Sequence, residues 1–285
     1  MFWTDATHGT VSRVPTTGGP SVTLATGQDQ PTQPALFGGA VYWINRGGSG
    51  ALMKVSTAGG APNMVTETPD PGNVAVGRGI NGFAIAPDGR IFYSSANVVW
   101  LLHVDGPERI VDVRPGWPAG LAYDGGMLAF TNGAADRIST TPIIPMIPTE
   151  CGDGCLIAVT QQNLFYPIFA QNGRTYWVSD YDYTLYSGAT ALPFDRQDQT
   201  AVYQPSRELG GIQTFTLHGD HALAALGWGL IVDGPLVAHA VAVPIAQEHI
   251  AVNRGINSIV ADDTHVFWTM FDIKDGTCWI DGVAR

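Results

Sequence analysis

The chain has 285 residues, 45% apolar and 14% charged, which is enough for a sizeable core and too little charge for a disordered chain. Its 25 acidic residues outweigh 14 basic ones, the formal charge is −11, and the only lysines are Lys54 and Lys274, so neither nucleic acid nor an anionic membrane surface is expected as a partner. No run of about 18 apolar residues occurs, so no membrane span is expected, and 35 glycines with 19 prolines along the whole length predict many short elements joined by tight turns.

The first element is already a core-type strand, Phe2-Trp3-Thr4-Asp5. Neither a basic n-region nor an apolar h-region precedes it. A leader and one strand are therefore expected upstream, the chain beginning inside a repeat. The same tetrapeptide type returns as Tyr42-Trp43-Ile44-Asn45, Phe92-Tyr93-Ser94-Ser95, Ala129-Phe130-Thr131-Asn132, Tyr176-Trp177-Val178-Ser179 and Phe267-Trp268-Thr269-Met270. A degenerate copy, Leu223-Ala224-Ala225-Leu226, fills the remaining gap, so the repeat is roughly 44 residues.

The flanks recur as well. An apolar run precedes most copies, as in Phe83-Ala84-Ile85-Ala86, Gly120-Leu121-Ala122-Tyr123, Ile168-Phe169-Ala170 and Ser258-Ile259-Val260-Ala261. Turn pairs such as Gly38-Gly39, Asp88-Gly89, Asp124-Gly125 and Asn172-Gly173 follow that run, supplying the positive φ that two-residue hairpins need. After the aromatic strand comes an alternating one, Thr10–Val14 and Ala51–Val55, then a short fourth strand, Val22–Ala25 and Asn63–Thr66. Four strands per unit at this period predict an all-β propeller of four-stranded blades, one domain over residues 1–285. Seven blades are favoured and six are possible, depending on how the ends close. Prolines in 132–150 and the weak pattern in 227–250 predict irregular loops or edge strands there.

The segments 2–5, 42–45, 176–179 and 267–270, with the longer phrase from Phe2 to Gln28, resemble YWTD-type and TolB-like bacterial secreted propeller repeats. The resemblance covers nearly the whole chain. It implies an extracellular, periplasmic or outer-surface protein that binds a ligand or serves as a scaffold. Several copies depart from the pattern by losing the tryptophan.

Candidate chemistry is sparse. Cys151-Gly152-Asp153-Gly154-Cys155 can close a small disulfide across a glycine-rich turn, which suits an oxidising compartment; two separate thiols are the alternative. Cys278 reads as a buried strand residue. His218 and His221 flank a turn and lack a third ligand for a metal. Asp180 with Asp182, and Asp272 with Asp275, read as solvated loops with only a weak case for calcium, so no cofactor is expected.

The segments before the inner strands are expected to ring one mouth of a central channel, where propellers place function. Two of them repeat a phrase: Gly77-Arg78-Gly79-Ile80-Asn81-Gly82 and Asn253-Arg254-Gly255-Ile256-Asn257-Ser258. Trp117, Glu208 and Gln213 occupy equivalent places. Arg78, Asn81, Trp117, Gln213, Arg254 and Asn257 are thus the expected ligand-binding set for an anionic or sugar-like small molecule, a carbohydrate or a protein, on a monomer. The alternative is that Arg-Gly-Ile-Asn is a structural turn whose Asn caps backbone groups. No Gly-x-Ser-x-Gly elbow, His-Glu-x-x-His helix or phosphate loop is present, which favours a non-enzymatic binder. The competing reading is a metal-dependent, lactonase-like hydrolase or lyase using Glu208, Asn81, Asn257 and Gln213.

Overall fold

The computed structural model describes residues 1–48, 50–68, 79–112, 118–132, 137–142, 149–150, 156–159, 167–179, 182–190, 199–248, 254–272, 274 and 278–285. The chain divides into two compact units, Met1–Ala135 with Thr141–Asp153, and Asp136–Thr140 with Gly154–Arg285. Among the described residues the one helical segment is the 3-10 turn Arg207–Leu209, and no helix is long and apolar enough to cross a membrane.

The first unit begins with a three-stranded sheet, β1 (Phe2–Asp5), β2 (Thr10–Arg13) and β3 (Val22–Ala25). A four-stranded antiparallel sheet follows: β4 (Pro31–Phe37), β5 (Ala40–Asn45), β6 (Ala51–Ser56) and β7 (Asn63–Glu67). The next holds β8 (Ile80–Ile85), β9 (Ile91–Ser95), β10 (Val98–His103) and β11 (Gly106–Asp112), and then comes the hairpin of β12 (Pro118–Asp124) and β13 (Met127–Asn132). Beyond β14 (Arg137–Pro142), the short β15 (Thr149–Glu150) pairs parallel to β11 through Val111 and Asp112.

The second unit pairs β14 with β16 (Leu156–Val159). Its two complete sheets are β17 (Phe169–Gln171), β18 (Arg174–Val178), β19 (Leu185–Ala189), β20 (Thr200–Tyr203), and β21 (Ile212–His218), β22 (His221–Leu226), β23 (Leu230–Pro235), β24 (Val243–Gln247). A three-stranded sheet of β25 (Arg254–Ala261), β26 (His265–Asp272) and β27 (Cys278–Ala284) completes the chain.

Six blades therefore open on an inner strand of their own, at β4, β8, β12, β17, β21 and β25. The expectation of seven is corrected to that extent. Counting aromatic strands includes β1, which lies at the edge of its three-stranded sheet and pairs with β2.

The aromatic position is the packing unit, because a sheet this narrow hides its faces only against a neighbour. Trp43, Tyr93 and Phe130 are fully buried, and Trp177 and Trp268 nearly so. Trp43 packs with Val11, Leu24, Val41 and Val55, while Phe92 and Phe130 share a core with Val99, Leu121 and Leu128. In the second unit Trp268 joins Leu223, Ile231, Ile256 and Ile259. Two buried indole N–H groups are satisfied by side chains: Trp43 Nε1 donates within β5 to Asn45 Oδ1 (2.9 Å), whose Nδ2 donates to Gln28 Oε1 (3.1 Å) between β3 and β4, and Trp268 Nε1 donates to Glu248 Oε1 (3.1 Å) just after β24.

The turns behave as their residues predict. Gly38-Gly39, Gly125-Gly126 and Asn172-Gly173 all carry positive φ at both hairpin positions. Region 227–250 meets its expectation in part: β24 is an edge strand of its sheet, but β23 is an interior strand, with Pro235 at its last position. One further local expectation fails. Cys278 is exposed on β27, not buried.

Candidate functional site

The chemistry concentrates where each inner strand begins. In β8 the register runs Ile80 to Ser95 and then Gly82 to Ser94, so Asn81 is an extra residue with no partner across the ladder. Gln213 is the extra residue in β21, between Ile212 and Thr214, and Asn257 is that residue in β25, between Ile256 and Ser258. β4 slips between Thr32 and Ala35, and β12 between Pro118 and Leu121. The corresponding stretch before β17 lies outside the described residues. A bulge bends its strand and re-aims the side chain it carries. Five inner strands repeat the device, and four of them place an amide there: Gln33, Asn81, Gln213 and Asn257.

Three members of the predicted set, Asn81, Gln213 and Asn257, are therefore brought to equivalent positions. They stand on the strands themselves, so the turn reading of Arg-Gly-Ile-Asn is replaced by a bulge reading. Arg78, Trp117 and the Cys151–Cys155 pair lie outside the described residues. For Arg254 the backbone is placed opposite Asp272 at the start of β25. Glu208 is exposed on the 3-10 turn that leads to β21.

In the first unit, Gln33 Nε2 donates to Asn81 O (3.3 Å), and Arg46 Nη2 reaches the same carbonyl at 3.5 Å. Gln33 and Arg46 are both exposed. Neither carries a cue in the sequence, since Gln33 sits in Pro-Thr-Gln-Pro rather than in the repeated phrase. Its proline-bounded setting and its left-handed backbone, φ 52°, mark it only once the strand is seen. Neighbouring inner strands approach closely here. Ser94 Oγ donates to Gly82 O and to Ala119 O, both at 3.4 Å, and a methyl group on Gly82 would fall 1.8 Å from Ala119 O.

In the second unit, Gln213 Nε2 lies 3.5 Å from Gly211 O, which also accepts from Gly227 N at 2.9 Å. Tyr183, on the turn between β18 and β19, rests its ring against Gly211, and Trp228, on the turn between β22 and β23, borders Gly210. Asp182 holds the first of these turns: Oδ1 accepts from Thr184 N (3.2 Å) and Oδ2 from Tyr186 Oη (2.8 Å). Partial burial pushes the Asp182 carboxyl up, but these hydrogen bonds outweigh it and hold its pKa below the ordinary aspartate value.

The histidine pair goes to separate carboxylates. His221 Nδ1 lies 2.6 Å from Asp233 Oδ1, and His218 Nε2 lies 3.2 Å from Asp263 Oδ1. Asp272 Oδ1 accepts from Lys274 N (2.9 Å). Among the described residues no three His, Cys, Asp or Glu side chains converge on a point that could hold a metal ion.

No family model and no curated protein matches the chain. Solved structures do match in fold. A chain of a nidogen/laminin complex shares 16% identity at TM-score 0.57, covering 82% of this chain and 88% of that one. BamB from Moraxella catarrhalis shares 13% at TM-score 0.56, covering 98% and 79%. A gluconolactonase from Xanthomonas campestris shares 14% at TM-score 0.53, covering 100% and 82%. These neighbours are β-propellers, and β-propeller is the class to which the all-β architecture belongs. At such identities the likeness carries the fold alone.

Proposed function

We propose that the chain is an extracytoplasmic binding or scaffold propeller whose ligand is read by the amides at the inner-strand bulges. The observation that carries this reading is the repeated bulge, which turns Gln33, Asn81, Gln213 and Asn257 out of their ladders at equivalent positions. Amides both donate and accept, so they suit a ligand rich in hydroxyls or carboxylates. Arg46 adds a cation beside the first pair, and Arg78 and Arg254 are proposed to do the same in the repeated phrase. Trp117 is proposed as a ring-stacking residue, and Cys151–Cys155 as a disulfide formed outside the cytoplasm. A small-molecule, carbohydrate or protein ligand, a single domain of 1–285 and a monomeric state belong to the same reading. The YWTD-type resemblance supports the extracytoplasmic setting.

Thermal-shift titration against neutral saccharides and sugar carboxylates tests this reading. The wild type should melt higher with its ligand, as preferential binding to the folded state requires. Asn81→Ala and Asn257→Ala should lose that shift while keeping the unliganded melting temperature. The lactonase-like alternative draws on the gluconolactonase among the fold neighbours. Turnover of a lactone panel, abolished by Glu208→Ala, would overturn the binding reading in its favour.

A further inference from the structure

The turn cluster around Gly210-Gly211 has features that the bulges alone do not explain. Tyr183 is 41% exposed and Trp228 is 63% exposed, both uncommon for such large rings beside a core. Tyr183 is held at φ 55°, a left-handed conformation that a bulky side chain adopts only under constraint. Both rings lie against one glycine pair. A methyl group on Gly211 would stand 2.3 Å from Tyr183 Cγ, and one on Gly210 would stand 3.1 Å from Trp228 Cδ1. Glycine at both positions lets the rings flank bare backbone. Gln213 is the third member, its Nε2 against Gly211 O and 3.5 Å from where a methyl on Gly227 would be. Glu208 stands exposed on the adjoining 3-10 turn.

The geometry points to a saccharide-stacking platform formed by Tyr183 and Trp228 across Gly210-Gly211, with Gln213 and Glu208 hydrogen-bonding the sugar hydroxyls. This deepens the binding reading, on which it rests, by naming the ligand class for the second unit. A pyranose presents an apolar C–H face and a polar hydroxyl rim. Two exposed aromatic side chains with an amide and a carboxylate on neighbouring turns match both parts, as small-molecule sites combine apolar walls with a few placed polar groups. Asp182 hydrogen-bonds Thr184 N and Tyr186 Oη around this turn, so the backbone that carries Tyr183 is ordered before a ligand binds.

Isothermal titration with cellopentaose, chitopentaose and maltopentaose tests the platform. At least one should bind the wild type saturably. Trp228→Ala and Tyr183→Ala should each weaken it about tenfold, the scale of a lost aromatic contact. Trp228→Phe should retain part of the affinity. Gly211→Ala should weaken binding by displacing the Tyr183 ring without removing it, with the β-type circular dichroism unchanged. No binding to any of the three would overturn the platform. Binding that survives both ring deletions but is lost in Asn81→Ala and Asn257→Ala would also overturn it and leave the bulge site standing. Lactone turnover would instead strike the binding reading, whatever the ring variants do.

Discussion

Single residues decide how closely the blades meet. Gly82 is required because Ala119 O occupies the space a Cβ would need, 1.8 Å away, and the obstacle is backbone rather than a flexible side-chain tip. Gly82→Ala should therefore destabilise the first unit by about 2–4 kcal/mol through forced separation of β8 and β12, read from chemical denaturation. Ala224 poses the opposite problem, a small residue where other blades carry an aromatic. Phe215 stands directly across the ladder from it, fully buried, with its ring centroid 5.1 Å from that of Phe169 in an edge-to-face contact. Phe215 is the large member of this cross-strand pair, whereas Phe130 faces Leu121 and Trp268 faces Ile259 in other blades. Ala224→Phe alone should cost about 1–3 kcal/mol by overpacking, and adding Phe215→Ala should recover part of that loss. Equal melting temperatures for the single and double variants would show that Phe215 is not what a larger side chain at 224 meets.

At the scale of elements, the strands were legible in the sequence and the bulges were not. Inner and aromatic strands follow from apolar runs bounded by turn pairs, because such runs have few other ways to be buried. A bulge leaves no mark in that pattern, since one extra polar residue near a strand end looks like a loop. Asn81 and Asn257 were found only through the repeated Arg-Gly-Ile-Asn phrase, and Gln33 was missed because its repeat lacks it. The sequence around Asp182 reads as a solvated loop, whereas its carboxylate organises the backbone around Tyr183. That carboxylate has a lowered folded-state pKa, so its contribution to stability is present above the unfolded value and is lost as pH falls through the folded one. Wild type should accordingly exceed Asp182→Asn in melting temperature at pH 6. The gap should close at pH values below about 4, where the unfolded carboxyl is already protonated. A gap unchanged at pH 3 would show that the charge of Asp182 does not hold the turn.

For the whole molecule, composition carried two different kinds of information. The recurring aromatic tetrapeptide specified the blades, since each narrow sheet needs a neighbour to cover its large side chains. The fourth blade to open, at β17, and the pair β14–β16 were the hardest to read, because prolines and weak alternation blur the period there. Charge specified nothing about the fold but does constrain behaviour. A formal charge of −11 with two lysines leaves mutual repulsion among carboxylates at neutral pH. Exposed charges farther apart than about 8 Å are screened at physiological ionic strength, while at 10 mM salt the screening length is about 30 Å. The melting temperature at pH 7 should therefore rise between 10 and 150 mM sodium chloride. It should rise equally in potassium chloride, since screening depends on ionic strength and not on the identity of the monovalent cation. A larger response to calcium than ionic strength predicts, abolished by chelator, would instead reveal a specific cation site among the acidic loops.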